Sequence, residues 1–285
     1  MLTILEAIQL STDYLAKKGI ESARTNAELI LANILDCTRL KLYLSFDRPL
    51  SEEEKNKYRD DIQRRGKFEP LQYITGKTDF YNLEFDITPD VLIPRPETEF
   101  LIEAVIAKYG KDENIKILDI GSGSGIISVT LAKIFSNAEI ISIDINPAAV
   151  ECSRRNAEKH QVKGSISFEI MDILSDETEA KLAQFDLIVS NPPYVSLDEY
   201  SGLQKEIIEY EPKEAVTDYS DGLTFYKRII SLSAGRLNSG GRLFMEMGKG
   251  QAENIRQLFS GDVFDGIEII NDLQKIERII CGRKK

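Results

Sequence analysis

The spacing of apolar residues over 1–76 is that of helices. Apolar side chains recur there every three or four positions, as on one face of a helix. Thr3 and Glu6, and again Ser51 and Glu54, have the Ser/Thr-x-x-Glu spacing of a capping box, which marks a helix N-terminus. We therefore predict a helical N-terminal domain over these 76 residues.

After residue 76 the pattern becomes that of strands, first alone and then alternating with helices. Apolar and polar residues alternate loosely over 77–94, which predicts a β-hairpin connector. A helix is predicted over Glu97–Tyr109. The predicted strands that follow are Ile115–Ile120, Glu139–Ile143, Ile166–Met171, Phe185–Ser190 and Arg242–Glu246. The predicted helices between and after them lie near 125–136, 147–160, 222–237 and 249–259.

The order of these elements predicts the fold class. Alternating strands and helices are typical of a parallel, doubly wound sheet. The last apolar runs, Ile267–Ile270 and Lys275–Cys281, are joined by Asn271-Asp272 with no helix between them, which predicts an antiparallel hairpin. We therefore expect an α/β domain over 95–285, with a mostly parallel sheet and a C-terminal antiparallel hairpin.

Composition and charge argue against several classes of protein. The net charge is −11 and the excess of acid lies beyond residue 80, so we expect no direct contact with nucleic acid. The chain has no long apolar run and no signal-peptide pattern at its start, so we expect no membrane span and a cytoplasmic location. The three cysteines form no Cys-x-x-Cys pair and His160 is the only histidine, so we expect no disulfide, no metal site and no imidazole-based catalysis.

A glycine-rich turn follows the first strand of the predicted sheet. Residues Gly121–Gly125, with the sequence Gly-Ser-Gly-Ser-Gly, allow the backbone to turn tightly and to approach a ligand without Cβ clashes. No Lys-Ser/Thr pair follows, which excludes a Walker A loop. Asp144 ends the next strand about 20 residues later, where a carboxylate can bind the hydroxyls of a ribose. The pattern predicts a site for a nucleoside-containing cofactor.

Asp119, two residues before the first glycine, bears on which cofactor binds. NAD and S-adenosylmethionine both contain a ribose, but only NAD carries a pyrophosphate. The Asp119 carboxylate would repel a pyrophosphate and attract the ammonium and sulfonium groups of S-adenosylmethionine. An alternative is that Asp119 only holds the loop through backbone hydrogen bonds. We favour S-adenosylmethionine.

A second motif, Asn191-Pro-Pro-Tyr194, follows the fourth predicted strand. This is the carboxyl edge of the sheet, where ligands of open α/β folds bind. Pro192 and Pro193 fix the backbone and lack N–H groups, which leaves rigid carbonyl acceptors beside the Asn191 side chain. The Asn191 side chain and the Pro192 carbonyl can orient both N–H bonds of a planar amide or aryl amine, on which Tyr194 can stack. We predict Asn191, Pro192 and Tyr194 as catalytic residues.

Together these motifs resemble class I, Rossmann-like S-adenosylmethionine-dependent methyltransferases that modify planar amino groups. Further motifs resemble the bacterial release-factor glutamine N5-methyltransferases, and the similarity extends over nearly the whole chain. These further motifs are Pro70–Gly76, Phe80, Val91–Glu99, Glu211-Pro212, Asp221–Leu223, Gly240-Gly241 and Glu246–Gln251.

This resemblance implies a reaction and a substrate. The family methylates the side-chain amide of the glutamine in the Gly-Gly-Gln motif of class-1 peptide-chain release factors, with S-adenosyl-L-homocysteine as product. A sister family methylates a glutamine of a ribosomal protein, and Pro96–Glu99 favours the release-factor branch. A docking role for residues 1–76 in substrate recognition is a further hypothesis.

The same resemblance, with the reasoning above, gives the candidate site residues. The cofactor residues are Asp119, Gly121, Ser122, Gly123, Ser124, Gly125, Asp144, Asp172, Ile173 and Asn191. The substrate residues are Asn191, Pro192, Pro193, Tyr194, Arg95 and Glu97. Arg95 and Glu97 either shape the lip of the pocket or pair with each other.

Three other functions fit parts of the pattern. An amino-methyltransferase of adenine or guanine could use the same Asn191–Tyr194 site on a flipped base, but the acidic charge argues against nucleic acid. A non-catalytic module or a dehydrogenase would have no use for the Asn-Pro-Pro-Tyr motif beside an intact glycine loop.

Overall fold

The computed structural model describes residues 2–285 and places them in two compact units. The helical unit comprises residues 2–77 together with Gln204–Tyr210, and the sheet unit comprises Thr78–Leu203 and Glu211–Lys285. Nothing in the sequence pattern indicated that a segment near residue 207 belongs to the helical unit.

The elements have the following bounds. The helices are α1 (Ile4–Lys17), α2 (Ala23–Ile34), α3 (Arg39–Tyr43), α4 (Glu52–Arg65), α5 (Leu71–Thr75), α6 (Glu99–Ile106), α7 (Ile126–Ile134), α8 (Pro147–Lys159), α9 (Asp176–Lys181), α10 (Leu197–Tyr200), α11 (Lys205–Tyr210), α12 (Thr224–Arg236) and α13 (Ala252–Arg256). The strands are β1 (Lys77–Phe80), β2 (Leu83–Asp86), β3 (Lys116–Ile120), β4 (Glu139–Asp144), β5 (Ile166–Ile170), β6 (Phe185–Ser190), β7 (Leu237–Glu246), β8 (Phe264–Asn271) and β9 (Glu277–Lys284). Short 3-10 turns lie at Pro96–Thr98, Lys163–Ser165 and Lys213–Ala215.

The helical unit folds around an apolar core. Leu15 of α1 and Ala27 and Leu31 of α2 are fully buried in it. Both predicted capping boxes form, since the Thr3 and Ser51 side chains each accept the N–H three residues on, and the glutamate carboxylate at that position accepts the backbone N–H of the cap residue. These caps satisfy backbone donors that a helix N-terminus leaves unpaired.

Polar contacts explain why α11 belongs to the helical unit. Arg65, whose side chain is only 7% exposed, donates to Asn26 Oδ1 at 2.7 Å and to Glu206 Oε1 at 2.6 Å. The Tyr210 hydroxyl donates to the carbonyl of Lys67 at 3.0 Å. Such long-range side-chain contacts leave no periodic signal in the sequence.

The sheet unit contains a seven-stranded sheet in the order β5-β4-β3-β6-β7-β9-β8. The strands from β3 to β7 pair in parallel, and β9 lies antiparallel between β7 and β8. Its core includes the fully buried Leu118, Ile188 and Leu243, one from each of three central strands. The predicted α/β class and the C-terminal hairpin are confirmed.

Several predicted bounds need correction. The hairpin turn is longer than Asn271-Asp272, because the Asp272 carboxylate accepts the N–H groups of Gln274 and Ile276, and β9 therefore begins at Glu277. The helix predicted near 249–259 shortens to α13, and the one predicted from Glu97 starts as a 3-10 turn before α6. The hairpin predicted over 77–94 is present as the two-stranded sheet of β1 and β2.

The strand order reverses at β3. From β3 the chain goes outward on one side through β4 and β5, and then returns to the other side of β3 as β6. Such a reversal leaves a crevice at the carboxyl ends of the two strands. Ile120 and Ser190, the last residues of β3 and β6, are register partners, so Gly121 and Asn191 leave the sheet side by side.

Candidate active site

A cavity of about 500 Å³ opens at this crevice, which is a size typical of small-molecule sites. Its lining includes most of the residues proposed from the sequence. Those residues are Arg95, Gly121, Ser122, Gly123, Ser124, Asp144, Asp172, Ile173, Asn191, Pro192 and Pro193. The other proposed residues, Asp119, Gly125, Glu97 and Tyr194, are not part of the lining.

The glycines of the loop have two different structural roles. Gly121 and Gly123 have φ angles of +84° and +53°, and a Cβ at either position would meet no atom within 4 Å. They therefore present bare backbone beside open space at the cavity. Gly125 was expected to line the cofactor, but a Cβ there would lie 3.1 Å from the Ser153 Cα of α8. Its lack of a side chain serves the close packing of α7 on α8.

The Asp144 carboxylate is already hydrogen-bonded to the backbone, which the sequence did not predict. Its Oδ2 accepts the N–H of Gly123 at 2.9 Å, and its Oδ1 accepts the N–H of Asn146 at 2.9 Å. The carboxylate thus holds the glycine loop in place from the end of β4. Burial raises the pKa of this carboxyl, although the two backbone N–H groups act in the opposite direction. Each carboxylate oxygen keeps a further lone pair for a ligand hydroxyl.

Asp119 lies beneath the loop and does not line the cavity. Its carboxylate is fully buried, and Oδ2 accepts the hydroxyl of Ser142, its register partner on β4, at 2.8 Å. Its direct contact with the cofactor stays a prediction, and in the structure the side chain joins β3 to β4 through this bond. Burial raises the pKa of Asp119 to about 7.

Asp119→Asn is expected to stabilise the protein more at pH 8 than at pH 5. A carboxyl whose pKa rises on folding favours the folded state when protonated, and this contribution is lost as the pH rises through about 7. Asparagine does not titrate, so the stability difference between variant and wild type should change by on the order of 2 kcal/mol over that interval. Urea unfolding at pH 5, 6, 7 and 8 measures it. A difference that is independent of pH would contradict the assignment.

An apolar wall lies on the β4 and β5 side of the cavity. Ile173 is buried, and the neighbouring Asp172 accepts the N–H of Leu174 through Oδ1 at 2.8 Å. Ile145 also lines the cavity and is 60% exposed, although the sequence analysis did not propose it. The sequence did indicate Ile145, because it is an apolar residue directly after Asp144, the polar residue that ends the strand.

Asn191 and the prolines after it lie where β6 ends. The Asn191 Nδ2 donates to the Thr98 hydroxyl at 3.2 Å, and among the described residues its Oδ1 accepts no hydrogen bond. The carbonyl of Pro192 likewise accepts none within residues 2–285. Both residues line the cavity, and each keeps one acceptor of the predicted kind without a partner in the described part of the chain. Thr98, which is fully buried and lines the cavity, was missed.

Tyr194, which was predicted to stack on the substrate amide, is not part of the cavity lining. Its side chain is partly buried against the core of the sheet unit, and burial raises the pKa of its hydroxyl. Its carbonyl accepts the Gln251 Nε2 at 2.9 Å. The expected stacking on a substrate amide is thus unsupported, because the ring packs inward. Tyr194 instead anchors the Asn-Pro-Pro-Tyr segment to the loop after β7.

Arg95 and Glu97 do not pair with each other. Arg95 lines the cavity and donates to Glu211 Oε1 at 2.6 Å, while Glu211 Oε2 accepts the N–H of Ile93 at 3.2 Å. Glu97 lies 4.0 Å from Arg278 and outside the lining. Arg95 therefore shapes the cavity by fixing the nearly buried Glu211, a partner that the sequence analysis noted only as part of a motif.

Within 2–285, no group of three or more His, Cys, Asp or Glu side chains is placed to hold a metal ion. The helices of this part of the chain are all too short or too polar to cross a membrane.

Comparisons with known proteins identify the family. Residues 6–76 match the model of the PrmC N-terminal domain, and residues 111–259 match a methyltransferase domain. The release factor glutamine methyltransferase of Geobacter sulfurreducens is 40% identical over 283 residues, which cover 99% of this chain and 96% of that protein. That of Koribacter versatilis is 36% identical, with 99% of each chain covered.

Solved structures share the fold. A methyltransferase from Pyrococcus furiosus superposes with a TM-score of 0.51 at 17% identity, over 72% of this chain and 90% of that one. The release factor glutamine methyltransferases are far more similar in sequence and match nearly the whole chain, so they identify the family and not the fold alone. The chain belongs to the release factor glutamine methyltransferase family.

Proposed function

We propose that this protein transfers the methyl group of S-adenosylmethionine to the side-chain amide nitrogen of the glutamine in the Gly-Gly-Gln motif of class-1 peptide-chain release factors. One observation carries the proposal. The glycine loop after β3 and the free acceptors Asn191 Oδ1 and Pro192 carbonyl after β6 border the same cavity. A nucleoside cofactor and a planar amide can therefore meet there.

The cavity fits S-adenosylmethionine in three respects. Gly121 and Gly123 offer a backbone surface that a Cβ would fill, and Asp144 offers carboxylate lone pairs for ribose hydroxyls. Ile145 and Ile173 offer apolar surface suited to an adenine ring. When bound, S-adenosylmethionine supplies a methyl group that is already electrophilic because it is attached to a sulfonium.

The chain's own contribution to the reaction is positioning. A glutamine amide has two N–H donors and a weakly nucleophilic nitrogen, so it needs orientation more than deprotonation in advance. Asn191 Oδ1 and the Pro192 carbonyl can each accept one of these N–H groups, which aims the nitrogen toward the cofactor side of the cavity. The prolines keep the acceptors rigid. Asn191, Pro192 and Pro193 are thus our proposed substrate residues.

We also propose that residues 1–76 help to recognise the release factor, and that the reaction takes place in the cytoplasm. Leu40 and Leu44 of the helical unit are 67% and 79% exposed, and apolar side chains this exposed are available for a protein partner. Under this proposal the intact factor is methylated more efficiently than a short Gly-Gly-Gln peptide. The three cysteines are unpaired, which is consistent with a reducing compartment.

Competition between substrates tests the proposed function. The protein is incubated with S-adenosylmethionine labelled in its methyl group and with equal amounts of unmodified class-1 release factor, ribosomal proteins and total RNA. We expect the label to enter the release factor. Label in a ribosomal protein or in RNA would instead support one of the alternative functions. Label in none of the three would contradict the proposed function and both alternatives.

A further inference from the structure

Tyr219 is an aromatic residue of the cavity wall that the sequence analysis did not propose. It lies in the loop before α12, and 48% of its surface is exposed. Its φ is +58°, in the left-handed region that glycine adopts readily and a tyrosine rarely does. Bulky residues in this conformation are unfavourable, and they cluster at functional sites. The presence of a tyrosine here therefore calls for a functional explanation.

The backbone around Tyr219 is held by the carboxylate of Asp218. The Asp218 Oδ1 accepts the N–H groups of Ser220 and Gly222 at 2.9 and 3.0 Å. Its Oδ2 accepts the N–H of Thr224 at 3.0 Å. These three bonds fix the turn on both sides of the tyrosine, so the loop itself imposes the left-handed conformation.

The side chain of Tyr219 is also held in place. Its hydroxyl donates to Glu214 Oε1 at 3.2 Å. The Lys213 Nζ lies 5.0 Å from the centroid of the Tyr219 ring and 4.8 Å from that of Tyr200, and an ammonium is attracted to the face of each ring. Tyr219 lines the cavity and Lys213 does not, so the ring face away from Lys213 is the one left for a ligand.

Hydrogen bonds join this loop to the segment that follows the Asn-Pro-Pro-Tyr motif. The N–H groups of Val195 and Leu197 donate to carbonyls of the loop at 3.1 and 3.0 Å. Tyr219 thus lies on the β6 side of the cavity, together with the proposed substrate acceptors, whereas the proposed cofactor loops follow β3, β4 and β5. This position suits contact with the substrate rather than with the cofactor.

A flat, immobile ring beside the glutamine acceptors suits a peptide without side chains. The backbone of a glycine can lie directly on an aromatic face, because no Cβ stands between the two. A residue with a side chain at that point would be held away from the ring or would collide with it. Because the hydroxyl, one face and the backbone of Tyr219 are all held, the ring has little freedom to move aside.

We propose that Tyr219 is a specificity-determining residue, whose ring packs against the glycine that precedes the substrate glutamine and selects against a side chain there. This inference rests on the proposed function and deepens it. It names a feature of the substrate, beyond the amide itself, that the cavity distinguishes.

Two variants of Tyr219 test the contact. Tyr219→Gly removes the ring, while glycine suits the backbone conformation, so the fold is kept. We expect kcat/KM for the release factor to fall roughly 5- to 20-fold, with KM for S-adenosylmethionine unchanged. Tyr219→Phe keeps the ring and should restore kcat/KM to within roughly 3-fold of wild type. Equal losses in the two variants, or no loss in Tyr219→Gly, would overturn the inference.

Tyr81→Gly is the matched control. Tyr81 is another tyrosine with a left-handed backbone, at a φ of +50°, and its hydroxyl also donates to a glutamate, Glu103 Oε1, at 2.6 Å. It is not part of the cavity lining. Tyr81→Gly should leave kcat/KM unchanged, and a loss as large as that of Tyr219→Gly would assign the effect to the backbone instead of the ring.

A release factor altered to Gly-Ala-Gln tests the selection itself. Wild type should methylate this factor roughly 10-fold less efficiently than the Gly-Gly-Gln factor, the discrimination that one added methyl group can give. Tyr219→Gly leaves room for the Cβ and should narrow the ratio to roughly 3-fold or less. A ratio that is the same in wild type and Tyr219→Gly would overturn the inference.

The outcomes also separate this inference from the proposed function. If wild type methylates the Gly-Gly-Gln factor and Tyr219→Gly matches it in efficiency and in ratio, the inference is wrong and the function stands. If wild type methylates neither factor, the proposed function is wrong, and the inference that rests on it is wrong as well.

Discussion

Asn191→Ala is expected to lower kcat for methyl transfer by on the order of 10²–10³-fold. The variant removes one of the two acceptors that orient the substrate amide, and misorientation of a weak nucleophile is costly because positioning supplies most of the catalysis. Affinity for S-adenosylhomocysteine should change little, since the glycine loop and Asp144 are untouched. Steady-state kinetics and calorimetric titration measure the two effects.

The control for this variant is another asparagine of the same unit. Asn137→Ala removes an exposed side chain that bonds only to the Asp112 carbonyl, and it should leave kcat unchanged. If Asn191→Ala kept more than half of wild-type kcat, Asn191 would not be the substrate acceptor. If it lost S-adenosylhomocysteine binding in parallel, the side chain would serve the cofactor instead.

Gly222→Ala is expected to lower kcat on the order of 10- to 100-fold without unfolding the protein. Gly222 has a φ of +77°, and a Cβ there would lie 2.5 Å from the carbonyl oxygen of Tyr194 and 2.9 Å from Gln251 Nε2. Because the nearer atom belongs to the backbone, the Asn-Pro-Pro-Tyr segment itself must shift. A shift of about 1 Å in a positioning group can cost roughly 100-fold in rate.

Gly250→Ala separates this collision from backbone strain. Gly250 has a similar φ of +84°, but a Cβ there would meet no atom within 4 Å. Both variants should lose about 1 kcal/mol of stability from the left-handed conformation, and only Gly222→Ala should lose activity. Equal activity of the two variants would show that the contact with Tyr194 does not position the site.

The sequence predicted the secondary structure correctly where its apolar residues recur with a regular period. The alternation of β3, α7, β4, α8 and β5 follows from apolar spacing, and β6 has the predicted bounds Phe185–Ser190. The hairpin of β8 and β9 was predictable because no helix fits between two apolar runs so close together. The neighbourhood of the glycine loop and Asn191 follows from topology, since parallel strands end at one edge of a sheet.

The details that the sequence did not predict depend on side-chain contacts between distant residues. Thr98 and Asn191 are 93 residues apart, and nothing local to either residue indicates their hydrogen bond. Asp119 and Tyr194 were assigned to ligands because of their motifs. The structure turns the first toward Ser142 and packs the second against the core, and neither orientation is encoded by spacing.

Peptide mass spectrometry of a class-1 release factor tests the central claim most directly. Unmodified factor is incubated with S-adenosylmethionine and either wild type or Asn191→Ala, then digested and sequenced. We predict a single added methyl, about 14 Da, on the glutamine of the Gly-Gly-Gln motif with wild type, and greatly reduced methylation with the variant. A methyl on another residue, or equal methylation by the two proteins, would contradict the account.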